Sequence, residues 1–341
     1  MIRVLCTALN AESGPHFQIL ANAGHECHVV DRSLDLWNPA VLSRAIQDYD
    51  AVIAGSEPWP PDVIASSPRL RVIARAGVGF DAVNLAACDE RRIVVATTPG
   101  CNHHSVAEHA IAMLMAVGRG FPALDQEVRR GEWNRNPWPR VWGRTIGLVG
   151  LGRIGQATAI RAKGLGLNVL AYDPAPQTAF AAEHGVQLVP LETLISQSDF
   201  ISLHLPVTPT TRHMINDESI SRMKPGVVII NTSRGPLIDE PALIRALQSG
   251  RVRGAGLDVF AVEPLPLDSP LISMPNVLLS GHVAGLDNES HDATWEMGAQ
   301  IILKLLSGEW PADCIQNLKG CSNWKWYWLL RDCRQAKAQG P

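Results

Sequence analysis

The chain has 341 residues and a mass of 37.0 kDa, a length typical of about two domains. Charged residues make up 18% and hydrophobic residues 46% of it, which excludes a disordered, collagen-like or coiled-coil protein. The formal net charge is −3, so no global basic field would attract nucleic acid or an anionic membrane surface.

The seven cysteines are scattered along the chain and form no CxxC pair. This usage is typical of reduced thiols in the cytoplasm, and we predict neither a disulfide framework nor a metal site. The N-terminus is too short an apolar run for a signal peptide. No uncharged apolar run approaches the ~20 residues of a membrane helix, so we expect a cytoplasmic protein that does not span a membrane.

Short apolar runs alternate with helical patterns over nearly the whole chain. The runs are continuous in Val, Ile and Leu, as strands buried on both faces are, and the pattern predicts an α/β fold with parallel sheets. The predicted strands of the first series are Arg3–Thr7, Cys27–Val30, Ala51–Ala54, Val72–Arg75 and Val94–Ala96. Those of the second series are Thr145–Val149, Asn168–Tyr172, Phe200–His204, Val227–Asn231, Gly254–Asp258 and Val277–Leu279.

Two longer helical patterns flank the second series. One begins at Ser105, where Ser-Val-Ala-Glu is a capping-box sequence, and the other runs from about Glu289 to Leu306. We therefore predict one domain over residues 101–289 and a discontinuous domain made of 1–100 plus 290–317.

Residues 318–341 form an atypical tail that is rich in tryptophan. A loosely ordered terminus or a terminus packed on its own domain is the simplest interpretation. An amphipathic contact with a membrane or a partner is the alternative.

A glycine-rich loop follows the predicted strand at 145–149 and opens a helix. In this GxGxxG run, Gly150 makes the tight turn, Gly152 lets the backbone approach a pyrophosphate, and Gly155 lets helix and strand pack closely. The exposed amides of Arg153 and Ile154, together with the helix dipole, are suited to hold the diphosphate. The strand–turn–helix context predicts a dinucleotide site.

Asp173 ends the next predicted strand, 18 residues after the last glycine of that loop. A carboxylate at this position accepts hydrogen bonds from the adenosine ribose hydroxyls and repels a 2′-phosphate. The following residues, Pro174-Ala175-Pro176, supply no arginine to offset its charge. We therefore predict NAD(H) as the cofactor in preference to NADP(H).

Polar side chains follow three later strands, at the edge where ligands bind in parallel sheets. They are Arg234 within Thr232-Ser233-Arg234, the pair Asp258 and Glu263, and His282. This set suits oxidation of a 2-hydroxyacid, because loss of a hydride from C2 must accompany loss of the hydroxyl proton.

In this interpretation each member of the set has a separate role. His282 is the acid–base, and Glu263 fixes its tautomer and stabilises its protonated form. Arg234 grips the substrate carboxylate with its planar fork, and Asp258 accepts from the nicotinamide carboxamide. Each residue taken alone also has a structural interpretation, as a hydrogen-bonded histidine, a solvated loop charge or an ion pair.

Two other histidines have weaker claims. His204 follows a predicted strand and is interpreted as lining of the cofactor cleft, with its backbone mattering more than its ring. His109 lies near the start of a predicted helix and is interpreted as part of a hinge face.

The combined motifs resemble the NAD-dependent D-2-hydroxyacid dehydrogenase family, which contains phosphoglycerate, glycerate and formate dehydrogenases. The resemblance covers about residues 1–317. It rests on the glycine loop with its aspartate and on further motifs, namely Arg75-Ala-Gly-Val-Gly-Phe-Asp81, Ser105-Val-Ala-Glu-His109, Asn231-Thr-Ser-Arg-Gly235, Asp258-Val-Phe with Glu263-Pro264, and His282.

The resemblance implies two Rossmann-like domains, an NAD-binding domain and a flavodoxin-like substrate domain, and a homodimer formed around residues 102–142. It places the family's catalytic triad on Arg234, Glu263 and His282. The backbone at Ala76, Gly77, Val78 and Gly79 would bind the substrate carboxylate. The cofactor contacts that it implies are Arg153, Ile154, Asp173, Thr232, Arg234, Asp258 and His282. The predicted cofactor-binding set also includes Gly150, Gly152, Gly155 and Ser233. The D-configuration of the substrate also follows from the resemblance.

Three departures bear on the substrate and on activity. Gly281 precedes His282 where the family usually has a proline, and Val78 stands where phosphoglycerate-type members often have a threonine. Gly55 occupies a position near which those members tend to carry a phosphate-binding arginine, and Glu57 is close by. No regulatory domain is expected after residue 317.

We therefore favour a small unphosphorylated substrate such as glyoxylate, hydroxypyruvate or glycerate. D-3-phosphoglycerate dehydrogenase is the alternative within the family. An NAD-sensing protein similar to the corepressors built on this fold is the alternative from another class, and an enzyme inactivated because Gly281 misplaces His282 is a third.

Overall fold

The alternating apolar runs and helical patterns fold into two units, each built on a parallel β-sheet. The structure is a computed structural model that describes residues 1–8, 13–321 and 323–326. Unit 1 contains Met1–Asn102 and the chain from Asp287 onward, and unit 2 contains His103–Leu286. These limits lie close to the predicted boundaries at residues 100 and 290.

Unit 1 alternates strands and helices through its first hundred residues and adds one long helix from the second segment. Its elements are β1 (Arg3–Cys6), α1 (Pro15–Asn22), β2 (Glu26–Val29), α2 (Pro39–Ile46), β3 (Ala51–Ala54), α3 (Pro61–Ser66), β4 (Val72–Arg75), α4 (Leu85–Glu90), β5 (Val94–Ala96) and α12 (Asn288–Ser307).

The sheet of unit 1 has the strand order β2-β1-β3-β4-β5 with parallel pairing among the described residues. This is the flavodoxin-like order, as expected. Successive strand residues pack on opposite faces: Val52 contacts the core beside α2 and α3, and Ile53 contacts the core beside α1 and α12. Burial on both faces explains the uninterrupted apolar strands.

The chain after α12 returns to the edge of this sheet. Ile315 pairs with Ala96, and the Asn317 side chain accepts a 2.8 Å hydrogen bond from the Val95 amide. Beyond it, Trp324 and Trp326 are 4% and 0% exposed in the same core as the first strand. Residues 318–321 and 323–326 are thus packed on their own unit. Residues 322 and 327–341, which hold the rest of the predicted tail, lie outside the described residues.

Unit 2 is formed from one continuous segment. Its elements are α5 (His103–Gly118), α6 (Phe121–Arg129), β6 (Thr145–Val149), α7 (Arg153–Gly164), β7 (Asn168–Tyr172), α8 (Thr178–His184), β8 (Gln187–Leu188), α9 (Leu191–Gln197), β9 (Phe200–Leu203), α10 (Asp217–Arg222), β10 (Val227–Asn231), α11 (Glu240–Gln248), β11 (Val252–Leu257) and β12 (Val277–Leu279). Short 3₁₀ turns occur at Gly235–Leu237 and Pro270–Ser273.

In the described chain the sheet of unit 2 has the order β12-β11-β10-β9-β6-β7-β8, and its pairs are parallel. The order reverses between β6 and β9, which is the Rossmann arrangement with its ligand crevice at the reversal. The predicted α/β fold with two Rossmann-like sheets is confirmed.

The start of α5 differs from the prediction. The helix begins at His103, two residues before the expected N-cap. Ser105 therefore lies inside the first turn and does not cap the helix with Glu108, whose carboxylate instead pairs with Arg161 at 2.6 Å. The predicted capping box is wrong because the helix begins two residues before Ser105, and a residue inside a helix is not its N-cap.

The described cysteines, Cys6, Cys27, Cys88, Cys101, Cys314 and Cys321, are free thiols. Burial raises the pKa of Cys6, Cys27 and Cys88 to about 12, so these thiols stay protonated and unreactive at neutral pH. Among the described residues, the helices are all too short or too polar to cross a membrane.

Candidate active site

The glycine loop between β6 and α7 has the geometry that the motif predicts. Gly150 has a φ of 110°, and a Cβ there would lie 2.8 Å from the carbonyl carbon of His204. A Cβ on Gly155 would lie 2.1 Å from the Gly150 oxygen. A Cβ on Gly152 would meet nothing within 4 Å. The first and last glycines are therefore needed for packing, while the middle one borders open space in which a diphosphate fits.

The N-terminus of α7 and the end of β7 supply polar groups beside that space. Gly152 is the N-cap of α7 and has no side chain to cap the helix, so the first amides remain available to an anion. The Asp173 carboxylate accepts hydrogen bonds from Leu151 N (2.6 Å) and Ala175 N (2.8 Å). It is thereby fixed against the glycine loop, where an adenosine ribose would be bound, and the loop residues fit an NAD cofactor.

The turn after β10 is shaped by Asn231, which is 0% exposed. Its Oδ1 accepts from Ser233 N at 3.1 Å and its Nδ2 donates to Arg234 O at 2.8 Å. The hydroxyl of Thr232 is buried with no partner in the described chain, and its expected cofactor contact stays a prediction. The Ser233 hydroxyl donates to Leu205 O at 2.7 Å, so the cofactor role expected for Ser233 stays a prediction.

Glu263 and His282 form a direct pair. His282 Nδ1 lies 2.7 Å from Glu263 Oε2, and the other carboxylate oxygen accepts from Phe260 N at 2.9 Å. Burial by itself raises the pKa of Glu263, but the hydrogen bonds from His282 and Phe260 and the charge of Arg234 outweigh it and lower that pKa. A carboxylate on Nδ1 leaves Nε2 of the half-exposed imidazole for a substrate.

Asp258 is 0% exposed and holds the loop that carries His282. Its oxygens accept from Val283 N and Ala284 N, each at 2.9 Å, and from the Ser280 hydroxyl at 2.5 Å. Its expected contact with the nicotinamide carboxamide stays a prediction. Ser280 was not among the expected site residues. The one sequence signal that could have indicated Ser280 is a hydroxyl residue two positions before the histidine that follows a strand.

His204 lies in the same unit but differs from His282 in its ionisation. Burial lowers the pKa of His204 to about 4, and its Nε2 lies 3.0 Å from the Ser202 hydroxyl. A ring that stays neutral at neutral pH cannot donate a proton to a developing alkoxide. Its backbone contributes instead, because the His204 carbonyl borders Gly150.

The loop expected to bind the substrate carboxylate lies at the carboxyl edge of β4 in unit 1. Its Ala76 amide donates to Ala54 O and its Gly77 amide donates to the Thr98 hydroxyl, at 2.9 and 2.8 Å. The amides of Val78 and Gly79 have no acceptor among the described residues. The amides of Ala76 and Gly77 thus have acceptors within unit 1, whereas those of Val78 and Gly79 are available to a carboxylate, and the expected substrate contact of the loop stays a prediction.

Comparison with known proteins gives a consistent result. Residues 111–284 match the family model for the D-isomer specific 2-hydroxyacid dehydrogenase NAD binding domain. The chain belongs to this family. It is 40% identical over 295 residues to a glyoxylate reductase of Korarchaeum cryptofilum, covering 83% of this chain and 89% of that protein.

Members with longer chains and a solved structure extend the comparison. A D-3-phosphoglycerate dehydrogenase of Mycobacterium tuberculosis is 42% identical over 277 residues, which is 80% of this chain but only 52% of that dehydrogenase. The NAD complex of formate dehydrogenase from Staphylococcus aureus is 28% identical with a TM-score of 0.81, over 94% of this chain and 100% of that one. This D-2-hydroxyacid dehydrogenase family member is thus an NAD-dependent oxidoreductase, and its named relatives favour an enzyme over a corepressor-like protein.

Proposed function

We propose that the protein reduces small unphosphorylated 2-oxo acids, such as glyoxylate and hydroxypyruvate, to D-2-hydroxyacids with NADH. The observation that carries the proposal is the 2.7 Å pair of Glu263 and His282 at the carboxyl edge of the NAD-binding sheet. We also propose a cytoplasmic location, supported by the scattered free cysteines.

His282 is the proton donor of the proposed reaction. Bound NADH supplies the hydride that reaches C2 of the substrate. The Nε2 of protonated His282 then gives its proton to the C2 oxygen, while Glu263 on Nδ1 fixes the ring and favours its charged form. In the oxidation direction, the neutral ring takes the same proton from the hydroxyl.

Arg234 is the substrate anchor of the proposal. A guanidinium binds a carboxylate through two parallel hydrogen bonds, which fixes the plane of a 2-oxo acid. The charge of Arg234 reaches Glu263, since it contributes to the lowered pKa of that carboxyl. This electrostatic effect supports a role for Arg234 beside the Glu263–His282 pair.

The proposed substrate class rests on Glu57, which lies where the strand order of the unit 1 sheet reverses. Between β1 and β3, Glu57 is 1% exposed and accepts a 2.5 Å hydrogen bond from the Thr7 hydroxyl. A Cβ on Gly55 would lie 2.6 Å from the other Glu57 oxygen, so the carboxylate occupies the space of a side chain there. A buried negative charge at the ligand edge disfavours a phosphorylated substrate. The phosphoglycerate dehydrogenase relatives favour the alternative, a phosphorylated acid.

Hydroxypyruvate and phosphohydroxypyruvate form a matched substrate pair, because they differ only by the phosphate. We expect a higher kcat/KM for hydroxypyruvate in the wild type, and we expect Glu57→Gln to reduce that preference about ten-fold because it removes one buried charge. Asp62→Asn, which removes an exposed charge from the same unit, is the control. A wild-type preference for the phosphorylated acid would support the phosphoglycerate dehydrogenase alternative instead.

His282→Ala tests the proposed chemistry. We expect kcat to fall about 10²- to 10⁴-fold, the range of general acid–base catalysis, with NADH affinity nearly unchanged. NADH absorbance measures turnover, and NADH fluorescence measures binding. Retained turnover would remove the acid–base assignment, and lost NADH binding would show that His282 is structural.

The proposed homodimer is supported by a run of exposed apolar side chains in unit 2. Phe121 and Val128 on α6 are 60% and 57% exposed, and Trp133 and Trp142 beyond it are 79% and 65% exposed. Large exposed apolar groups of this kind mark association surfaces. Light scattering should give twice the chain mass for the wild type and a single chain mass for Phe121→Ser/Trp133→Ser. A monomeric wild type would contradict the proposal.

A further inference from the structure

A chain of polar side chains connects helix α5 to the loop that carries His282. His109 Nε2 lies 2.9 Å from the Ser280 hydroxyl, and that hydroxyl lies 2.5 Å from Asp258 Oδ1. His109 Nε2 is itself 3.7 Å from the same carboxylate oxygen. Ser280 thus links His109 to Asp258, although these two residues are 149 positions apart in the sequence.

The direction of each hydrogen bond follows from the chemistry of the groups. Asp258 accepts backbone amides of Val283 and Ala284 on its two oxygens, as an ionised carboxylate does. The Ser280 hydroxyl has a single proton, and it must donate that proton to the carboxylate. Its oxygen is then the acceptor for His109, whose proton consequently lies on Nε2.

Asp258 holds the loop on both sides of His282, through its carboxylate and through its backbone carbonyl. The His282 amide donates to the Asp258 carbonyl at 2.7 Å, and His282 has a φ of 58°, in the left-handed region that non-glycine residues rarely adopt. The preceding residue is Gly281, which has the largest backbone freedom of any residue type. A histidine in this conformation next to a glycine needs external anchors to stay in one place.

We propose that Ser280 and His109 are positioning residues that hold His282 in place through Asp258. Neither touches the reacting atoms. Ser280 orients the Asp258 carboxylate, which binds the loop amides, and His109 orients the Ser280 hydroxyl from the rigid helix α5. This inference rests on the acid–base role proposed above for His282.

Ser280→Ala tests the first link. We expect kcat to fall about ten-fold or more, since a small displacement of a catalytic group is costly, while the Kd for NADH changes less than two-fold. Ser280→Thr keeps the hydroxyl and should restore kcat to within about two-fold of the wild type. Ser198→Ala is the control, because Ser198 is a serine of the same unit whose hydroxyl also donates one hydrogen bond, at 2.7 Å to Leu194 O, but lies outside the His282 loop.

The comparison of these variants separates positioning from general stabilisation. Ser280→Ala and Ser198→Ala should lower the melting temperature by similar amounts, but only Ser280→Ala should lower kcat. If Ser280→Ala keeps wild-type kcat, or if Ser280→Thr is as slow as Ser280→Ala, the inference is overturned.

His109 is tested by a double-mutant cycle with Ser280. His109→Leu removes the donor, and His109→Gln offers an amide N–H in its place. We expect His109→Leu to lower kcat several-fold and His109→Gln to restore part of it. The His109→Leu/Ser280→Ala double variant should be no slower than Ser280→Ala alone, because both residues act through one hydroxyl. Fully additive effects would contradict the link.

His282→Ala distinguishes this inference from the proposed function. An active His282→Ala enzyme would refute the acid–base assignment itself. An inactive His282→Ala enzyme together with a fully active Ser280→Ala enzyme would refute only the positioning role.

Discussion

The two units share a parallel, doubly wound architecture but carry different groups at the carboxyl edges of their sheets. Unit 2 carries ionisable side chains there, in Asp173, Glu263 and His282. In unit 1 the corresponding edge carries the amides of a glycine loop at 77–79 and the buried Glu57. The same fold thus carries the groups proposed for acid–base chemistry in one unit and the amides proposed for substrate recognition in the other. Function depends on the residues that follow the strands rather than on the sheet.

The units also differ in how their cores are completed. Unit 2 is continuous in sequence, whereas the core of unit 1 includes α12 and the residues after it. Trp326, the last described residue, is fully buried in the core that also contains residues of the first strand. The stability of unit 1 therefore depends on two separate segments of the chain, and that of unit 2 on one.

Trp326→Ala should give the largest effect and should act on unit 1. Truncating a buried tryptophan costs about 3–5 kcal/mol of unfolding free energy. Calorimetry should show that the unfolding transition of unit 1 moves to a lower temperature. The transition of unit 2 should keep its temperature, and NADH identifies it because ligand binding raises the unfolding temperature of unit 2. Trp37→Ala, at a half-exposed tryptophan of the same unit, should change stability by less than about 0.5 kcal/mol. Equal effects of the two substitutions would contradict the burial argument.

Glu263→Gln should affect the edge of unit 2 without affecting unit 1. We expect kcat to fall about 10- to 100-fold, because the imidazole loses the charge that stabilises its protonated form. Reduction of a 2-oxo acid needs the protonated ring and is therefore lost at high pH. We expect this loss to occur at a lower pH in Glu263→Gln than in the wild type. Rate profiles over pH for both proteins measure this shift. An unchanged profile would show that the carboxylate is not coupled to the proton transfer.

The same carboxylate gives stability a defined dependence on pH. The pKa of Glu263 is lowered in the folded protein, so the group stabilises the fold above its unfolded pKa of about 4.3 and stops doing so as the pH falls through the folded value. Between about pH 5 and pH 3 the wild type should lose more stability than Glu263→Gln. Melting curves across that range provide the measurement.

Gly152→Ala and Gly155→Ala should separate ligand contact from packing within one loop. A methyl group on Gly155 would collide with the Gly150 oxygen, so we expect a loss of about 1–3 kcal/mol of stability. A methyl group on Gly152 meets open space in the protein and would face the diphosphate. Gly152→Ala should therefore keep its melting temperature and bind NADH about ten-fold more weakly. Unchanged NADH affinity would place the diphosphate elsewhere.

Gly281→Ala should give the smallest effect. A Cβ there meets nothing within 4 Å, and its φ is not in the left-handed region. Alanine restricts the unfolded chain, so we expect a gain of about 0.4–1 kcal/mol and a kcat no lower than that of the wild type. A fall in kcat would show that the loop must move at this residue during turnover.

Several parts of the fold followed from local patterns. The apolar strands Ala51–Ala54, Val72–Arg75 and Val227–Asn231 were predicted with the bounds that they have, because strands covered on both faces admit few polar residues. The two-residue strand β8 was missed, since Gln187–Leu188 is too short to show a pattern. The start of α5 was misplaced because a capping sequence does not by itself determine where a helix begins.

The candidate site was predictable in its residue types and only in part in its contacts. The spacing of residues predicts the glycine loop, the aspartate at a strand end and the histidine after a strand. It does so because the carboxyl ends of parallel strands meet at one edge of the sheet. The four backbone amides expected at residues 76–79 differ in a way that only the folded loop shows, since those of Ala76 and Gly77 are already bonded. Ser280 lies in none of the motifs, and the Ser105–His109 motif does not indicate that the His109 ring contacts Ser280.

The sequence by itself determined the α/β class, the dinucleotide loop and the set of groups for acid–base chemistry, because these depend on local periodicity and on the order of residues along strands. The tertiary structure decided which nitrogen of His282 faces the carboxylate, that His204 is neutral, and that Trp324 and Trp326 complete the core of unit 1. Those properties depend on distances and burial between residues far apart in the chain, and such distances are set by packing rather than by neighbours in sequence.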